Sequence, residues 1–559
     1  MSRVRRAARR RATTLVIALA VAALALAGVA AYSTAGAQPS TPAGASAHLL
    51  SQRTVPAASP AAKREQITTL KNALARIRAQ LASGSSRWGD LDLRDVLSYH
   101  VDRLWTRGID GYGTAVAVLE GWNYPGMQAD LNALDDQVGL PHATVETVYP
   151  NGPLPAQCPA GMVKLGSYGS CDAWQGELEL DVEAVHLMAP YAKIVISATP
   201  SDSEITGDPS SEVAMPEIVK GMEYLSTHNI ANVMSISDGS SETDYSRGAK
   251  EIHAQDVGEV TAAAHGVPIA NATGDCGAAQ NLTTATRQCG TVSSGPASAT
   301  WADSPWITAV GGSSPKYVGE GAAKTFPLDP IEGAGLSEMY PRPAYQDGVA
   351  RITGSTQRSL PDITMNSRDG TSEAAPLFAG VLALATQVKG ANLGPINEVL
   401  YGTLGKHAAS DGLVDVTSGN NDFGTIPGYT ATKGYDVASG WGTVNAARFA
   451  PALAEATRGN PMTGHAVQAL KPFGRTLALT PSSAVAPGSP LDITSRGFLP
   501  DHPVTLAVDG TTLATVTADT SGNITYAFRP QDKGLIVGRH TLTVHSLLLD
   551  QSATFTVTG

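Results

Sequence analysis

From about residue 85 to 455, short apolar runs alternate along the chain with longer segments of helical period. Ala115–Leu119, Lys193–Ala198, Asn232–Ser237, Val267–Ala270 and Trp306–Val310 read as buried strands between helices. Runs apolar on both faces suit a sheet that is covered on both sides. The alternation therefore predicts an α/β domain over 85–455, with a mostly parallel sheet and helices on both faces. Upstream, Ile67, Leu70, Leu74, Ile77 and Leu81 recur at steps of three and four and predict one short amphipathic helix. Residues 38 to about 60 are rich in Ser, Pro, Ala and Thr without an apolar period, so 38–84 reads as a flexible linker followed by that helix. After a spacer at 456–475 the period changes to two. Leu491–Thr494, Val504–Val508, Ile524–Phe528 and His540–His545, with Asp-Gly at 509, predict a small all-β sandwich over 476–559.

Chemistry first shows in the segment Gly176–Met188, GELELDVEAVHLM. On a helical wheel Glu177 and Asp181 lie about 40° apart. Leu178, Leu180, Val182, Ala184, Val185, Leu187 and Met188 flank them on both sides, and Glu179, Glu183 and His186 gather opposite. This places one carboxyl pair toward the core and the other toward water. Acids four apart on a helix usually mark a solvated face, but two acids centred on an apolar arc reverse that reading. Close, part-buried acids share a proton, with one of them titrating above its usual range.

Two further segments could complete a site. Asp369-Gly370-Thr371-Ser372 leads into AAPLFAGVLALAT, a helix apolar on nearly every face and therefore buried. Ser372 at its N-terminus reads either as a helix cap or as a nucleophile, beside backbone N–H groups that could stabilise an oxyanion. Thr273-Gly274-Asp275-Cys276-Gly277 follows the strand at 267–270, at the carboxyl end where α/β sheets place their sites. Asp275 reads as a turn residue or as a protonated acid that donates a hydrogen bond.

Six arginines and no acid precede an apolar run from Thr13 to Tyr32, and Ala35-Gly36-Ala37 follows, so 1–37 reads as a secretory signal cleaved after Ala37. The alternative is a membrane anchor, since the run is near spanning length. With those arginines removed, the charge of −11 becomes about −17, which argues against nucleic acid as a partner. The four cysteines fall in two local pairs, Cys158 with Cys171 and Cys276 with Cys289. Two short-loop disulfides are the simplest reading for a secreted chain, and zinc is the weaker one because C-x-x-C spacing is absent.

Together the three segments resemble the sedolisin family, whose members have a subtilisin-like fold, use a Ser-Glu-Asp set and commonly work in acid. Gly176-Glu177, Leu180-Asp181 and Ala189-Pro190 follow the family's catalytic helix. Gly274-Asp275 with Gly277 follows its oxyanion segment, and Gly370-Thr371-Ser372 with Pro376 and Ala379-Gly380 its nucleophile segment. The resemblance implies a secreted endopeptidase acting on proteins or peptides. In it Ser372 is the nucleophile, Glu177 the general base and then acid, Asp181 its orienting partner and Asp275 the oxyanion donor. Asp415-Val416-Thr417-Ser418-Gly419-Asn420-Asn421 and Gly434-Tyr435-Asp436 look like the family's calcium loop. The implied ligands of one structural calcium ion are the carboxylates of Asp415 and Asp436 and the carbonyls of Val416, Thr432 and Gly434. Asp369 stands where the family usually has a small residue. The C-terminal strands resemble bacterial immunoglobulin-like modules in architecture, and could contact a cell wall or polymer.

Ordinary subtilisin chemistry needs a His base, and none of the twelve histidines is suitably placed. A non-catalytic wall or carbohydrate-binding protein on a protease scaffold is the alternative from another functional class.

Overall fold

The computed structural model describes residues 53–559 apart from 160–169, 200–215, 246–247, 249–251, 254, 281–295, 319–320, 459–475, 499–502, 520–521 and 547–548. The signal at 1–37, most of the linker and most of the spacer lie outside the described residues.

Seven strands form one sheet: β1 (Ala115–Glu120), β2 (Val145–Val148), β3 (Lys193–Ala198), β4 (Val233–Ile236), β5 (Ile269–Ala272), β6 (Thr308–Ser313) and β7 (Ile363–Asn366). Their spatial order is β7-β6-β5-β4-β1-β3-β2, and every neighbouring pair is parallel. Parallel order places all carboxyl ends on one edge, where chain direction switches and sites form. The expected strands at 115 and 193 are found in place. The one expected at 267 begins two residues later, because Val267 N–H closes the preceding helix by donating to Ala262 O at 2.9 Å and Pro268 has no N–H to give.

The helices used below are α1 (Pro60–Ala82), α2 (Arg94–Ser98), α3 (Met127–Val138), α4 (Cys171–Met188), α5 (Pro216–Thr227), α6 (Asp256–Ala264), α7 (Thr371–Lys389) and α8 (Ala446–Ala456), with further short helical segments such as Val101–Trp105 and Asn397–Gly402. α1 starts earlier than its apolar period suggests. Ser59 caps it by accepting Ala62 N–H and Pro60 takes the first turn, so the polar start is part of the helix. Its apolar stripe, Leu70, Leu74, Ile77 and Leu81, is buried in the main core, so this helix is docked on the α/β body. α7 is buried along nearly its whole length and packs on both α4 and the sheet. That packing sends the first turns of α4 and α7 toward the same place.

The outer face of α4 departs from the wheel. Glu183 and His186 are buried rather than in water. Glu183 accepts Asp90 N–H at 2.9 Å from the hairpin Arg87–Trp88/Leu91–Asp92. His186 pairs with Asp135 of α3 at 2.9 Å and stacks near Trp88. A helical wheel reports one helix alone and cannot show that the preceding segment folds over its far side.

The C-terminal residues form a three-stranded sheet (Thr476–Thr480, Leu491–Arg496, Asn523–Phe528) and a five-stranded one that includes Pro503–Val508, Gly538–Ser546 and Leu549–Val557. Both contribute to one apolar cluster, through residues such as Ile493, Ile524, Leu506, Leu542 and Phe555. Val260, Ala263 and Ala264 of α6, with Trp306, belong to the same cluster. No helix among the described residues is long and apolar enough to cross a membrane.

Candidate active site

Ser170 caps α4 by accepting Ala173 N–H, which sets the phase that turns Glu177 and Asp181 inward. The Ser372 side chain comes close enough to the Glu177 carboxyl to favour its charged form. Glu177 is partly accessible as a residue, yet its Oε1 is fully enclosed, and burial pushes its carboxyl up to about 7. Asp181 is wholly buried and is held well above the usual carboxylate range by desolvation and by the charge of Glu177. Ser237, just past β4, donates to Asp181 Oδ1 and Oδ2 at 3.0 and 2.9 Å and lies 3.2 Å from the Ser372 carbonyl.

A third acid joins the pair. Glu120 ends β1, is fully buried beside Asp181 and accepts Ser237 N–H at 3.3 Å. Desolvation and then the charges of Asp181 and Glu177 raise it well above its usual value. Three enclosed carboxyls in contact cannot all ionise, so this cluster carries protons well above ordinary carboxylate pH. Sequence reasoning missed Glu120 and Ser237. The available signal was a polar residue at the carboxyl end of each buried strand run, Glu120 after Leu119 and Ser237 after Ile236.

Asp275 approaches from the far side of Ser372. Its Oδ1 accepts Thr371 N–H at 2.7 Å and Thr371 Oγ1 at 2.9 Å, while Gly274 N–H donates to Thr371 Oγ1 at 3.0 Å. The cap of α7 is Gly370, not Ser372, so the hydroxyl of Ser372 is not spent on capping. Gly370 has φ +88°, and a Cβ there would stand 2.6 Å from Asp275 Oδ2; only glycine permits this approach. Asp275 is exposed as a residue along the crevice, but protein crowds its carboxyl. Desolvation accordingly pushes it above the ordinary range against the lowering effect of the two Thr371 bonds. Asp369, which puts a negative charge near the nucleophile, lies 3.5 Å from both Arg87 and Arg368.

The structure thus brings Glu177, Asp181, Asp275 and Ser372 together at the start of α7. It also brings the two halves of the expected calcium loop together. Gly434 N–H donates to Asp415 Oδ2 at 2.9 Å, and Asp436 accepts Thr432 N–H at 2.5 Å and Ser439 N–H at 2.8 Å. Two carboxylates with loop carbonyls beside them are a hard-oxygen set of the kind that calcium takes. Among the described residues no group of three or more His, Cys, Asp or Glu could hold a metal. Cys158 and Cys171 form a disulfide with Cα atoms 5.9 Å apart. Cys276 is disulfide-bonded as well, and its expected partner Cys289 lies outside the described residues.

No family model matches the chain. Kumamolisin of Bacillus sp. (strain MN-32) is 27% identical over 376 residues, covering 62% of this chain and 61% of that protein. Sedolisin of Pseudomonas sp. (strain 101) is 27% identical over 312 residues, covering 51% and 50%. The chain is thus similar in sequence to sedolisin-type peptidases. Tripeptidyl-peptidase 1 of Rattus norvegicus is 29% identical over 315 residues, covering 48% of this chain and 50% of that protein. The chain therefore spans about half to three-fifths of the curated relatives' length. Among solved structures, Pseudomonas sedolisin in complex with pseudo-iodotyrostatin superposes with TM-score 0.53 at 22% identity, covering 66% of this chain and 98% of that one, a likeness of fold.

Proposed function

We propose that this chain is a secreted serine-carboxyl endopeptidase that hydrolyses peptide bonds of proteins in acid through an acyl-enzyme. The observation that carries the reading is the closeness of the Ser372 side chain to Glu177 beside a buried, proton-sharing carboxyl cluster, with no imidazole beside it among the described residues. Ser372 Oγ attacks the peptide carbonyl carbon and its proton passes to Glu177. Asp181, held by Ser237 and Glu120, orients Glu177 and spreads the charge. Asp275, its carboxyl raised by desolvation, donates a hydrogen bond to the developing oxyanion when protonated. Collapse of the tetrahedral state breaks the C–N bond, and Glu177 returns the proton to the leaving amine. Water then repeats the sequence on the ester. Cleavage of a denatured protein at about pH 4 tests the assignment: wild type should produce fragments and Ser372→Ala none. Equal, negligible cleavage by both would favour a non-catalytic scaffold.

Residues 1–37 act as the export signal in this reading, 85–455 as the peptidase and 476–559 as an immunoglobulin-like module that meets an insoluble substrate or wall polymer. One calcium ion would be held by Asp415 and Asp436 with the carbonyls of Val416, Thr432 and Gly434, neutralising the two carboxylates and fastening the loop to β7's end of the sheet. Chelation should lower the thermal midpoint, and added calcium should restore it. An unchanged midpoint with and without chelator would count against the ion.

A further inference from the structure

A second buried carboxyl pair lies directly behind the nucleophile turn, on the side away from the crevice. Glu373, the residue after Ser372, turns its side chain into the body and is fully buried. Its Oε2 accepts Asp369 N–H at 3.0 Å, and its Oε1 accepts Asn366 Nδ2 at 2.8 Å. Asn366 ends β7, and the same Nδ2 lies 2.8 Å from Oδ2 of Asp95 on α2, which is also fully buried. Tyr317 donates to the other oxygen of Asp95 at 2.6 Å.

A glutamate at the third position of a helix often reaches back to the amide at the cap, and that is the plain structural explanation. It comes near to accounting for the bond to Asp369 N–H, which lies one residue before the cap Gly370. It does not account for a second enclosed carboxyl on the same amide nitrogen, because two like charges there would repel at short range in low dielectric.

We propose that Glu373, joined to Asp95 through Asn366, is a positioning residue that clamps the 366–373 turn and so fixes Ser372 against Glu177. The proposal rests on the reading of Ser372 as nucleophile. The clamp is intact only while the pair keeps a proton. Burial pushes Glu373 up to about 8 and Asp95 up to about 7, each raised further by neighbouring acids. The charged surroundings are Asp92, Arg368 and Asp369, with Tyr99 packed against both acids and Arg94 over the Tyr317 ring. Arg368 and Arg94 are both engaged by Asp92, so neither fully offsets a second charge on the pair. Above neutral pH the last proton leaves, the two carboxylates repel, and the turn behind Ser372 loosens.

The test compares pH profiles of kcat and KM for wild type, Glu373→Gln and Asp95→Asn on one peptide substrate, with thermal midpoints at each pH. Either variant removes one of the two charges. The expected result is a kcat within about threefold of wild type at acid pH, and a high-pH limb displaced upward by about one pH unit at unchanged KM. Profiles that superimpose on wild type, or midpoint changes with no change in profile, would overturn the proposal. If one variant does not fold, the other reads the same pair from the opposite element. If neither folds, hydrogen exchange of the wild-type 366–374 segment decides: its protection should fall between about pH 7 and 9 ahead of the rest of α7, and uniform protection would overturn the clamp. Ser372→Ala run alongside separates the two readings. Its full activity would remove the nucleophile assignment, whereas an inactive Ser372→Ala with unshifted Glu373→Gln and Asp95→Asn would remove the clamp alone.

Discussion

Replacement of Glu177 by Gln should lower kcat by about 10²- to 10⁴-fold while KM stays within about threefold. Gln has the shape of Glu and can still meet the Ser372 hydroxyl, so ground-state binding of a peptide is little changed. It cannot take the proton of Ser372 or return it to the leaving amine, so the loss falls on the transition state. Steady-state kinetics at several pH values would check this. The variant should also lower the pH at which Asp181 and Glu120 release protons, because the charge of Glu177 is among the causes holding both up. A parallel rise in KM with unchanged kcat would instead mean that Glu177 only binds substrate.

Asp275 gives the second large effect and sets a pH limit. Asp275→Ala should lower kcat by about 10²- to 10³-fold, the usual loss for one oxyanion donor. The sign of the pH dependence follows from the raised carboxyl: below its folded-state value it is protonated and donates to the oxyanion, and above it a carboxylate faces the developing charge and repels it. Wild-type activity should therefore fall as pH rises through that value. Asp275→Asn keeps an N–H donor and has nothing to ionise. It should show a lower peak than wild type and lose the part of the high-pH fall that Asp275 causes, leaving the part set by the Glu373–Asp95 pair, and a profile shaped like wild type would remove Asp275 from the pH dependence.

Stability should follow the same direction. Glu120, Glu177 and Asp181 all bind protons more tightly in the folded chain than in a model carboxyl. The folded state thus holds more protons than the unfolded one above about pH 4, and stability decreases as pH climbs toward and through the folded-state values. The stability trend and a protonated Asp275 both favour acid, whereas Glu177, raised to about 7, must lose its proton to serve as base and so sets the low-pH limb of activity.

Much of this was legible in the sequence because the decisive signals are local. The apolar strand runs, the helical period of 176–188 and the Gly-Thr-Ser opening of an apolar helix each lie within about twenty residues, and each marks an element or a side chain that meets in the crevice. What was not legible depends on distant packing. Glu183 and His186 read as solvent-facing on their own helix, and become buried only because the hairpin at 87–92 and α3 cover them. Glu120 carries no motif, and its place beside Asp181 comes from the pairing of β1 with β3 and β4. Glu373 carries no motif in the sequence, and its partners Asn366 and Asp95 reach it only through the placing of β7 and α2.

The central claim is that the hydroxyl of Ser372 forms the covalent bond to substrate. It is tested most directly by acid-quenching the enzyme during turnover of a slowly deacylated peptide ester and locating the adduct by peptide mass spectrometry. An acyl mass increment on the peptide that contains Ser372, absent in Ser372→Ala and much reduced in Glu177→Gln, is the expected result. Turnover with the increment on a different residue, or with wild type and Ser372→Ala labelled alike, would contradict it.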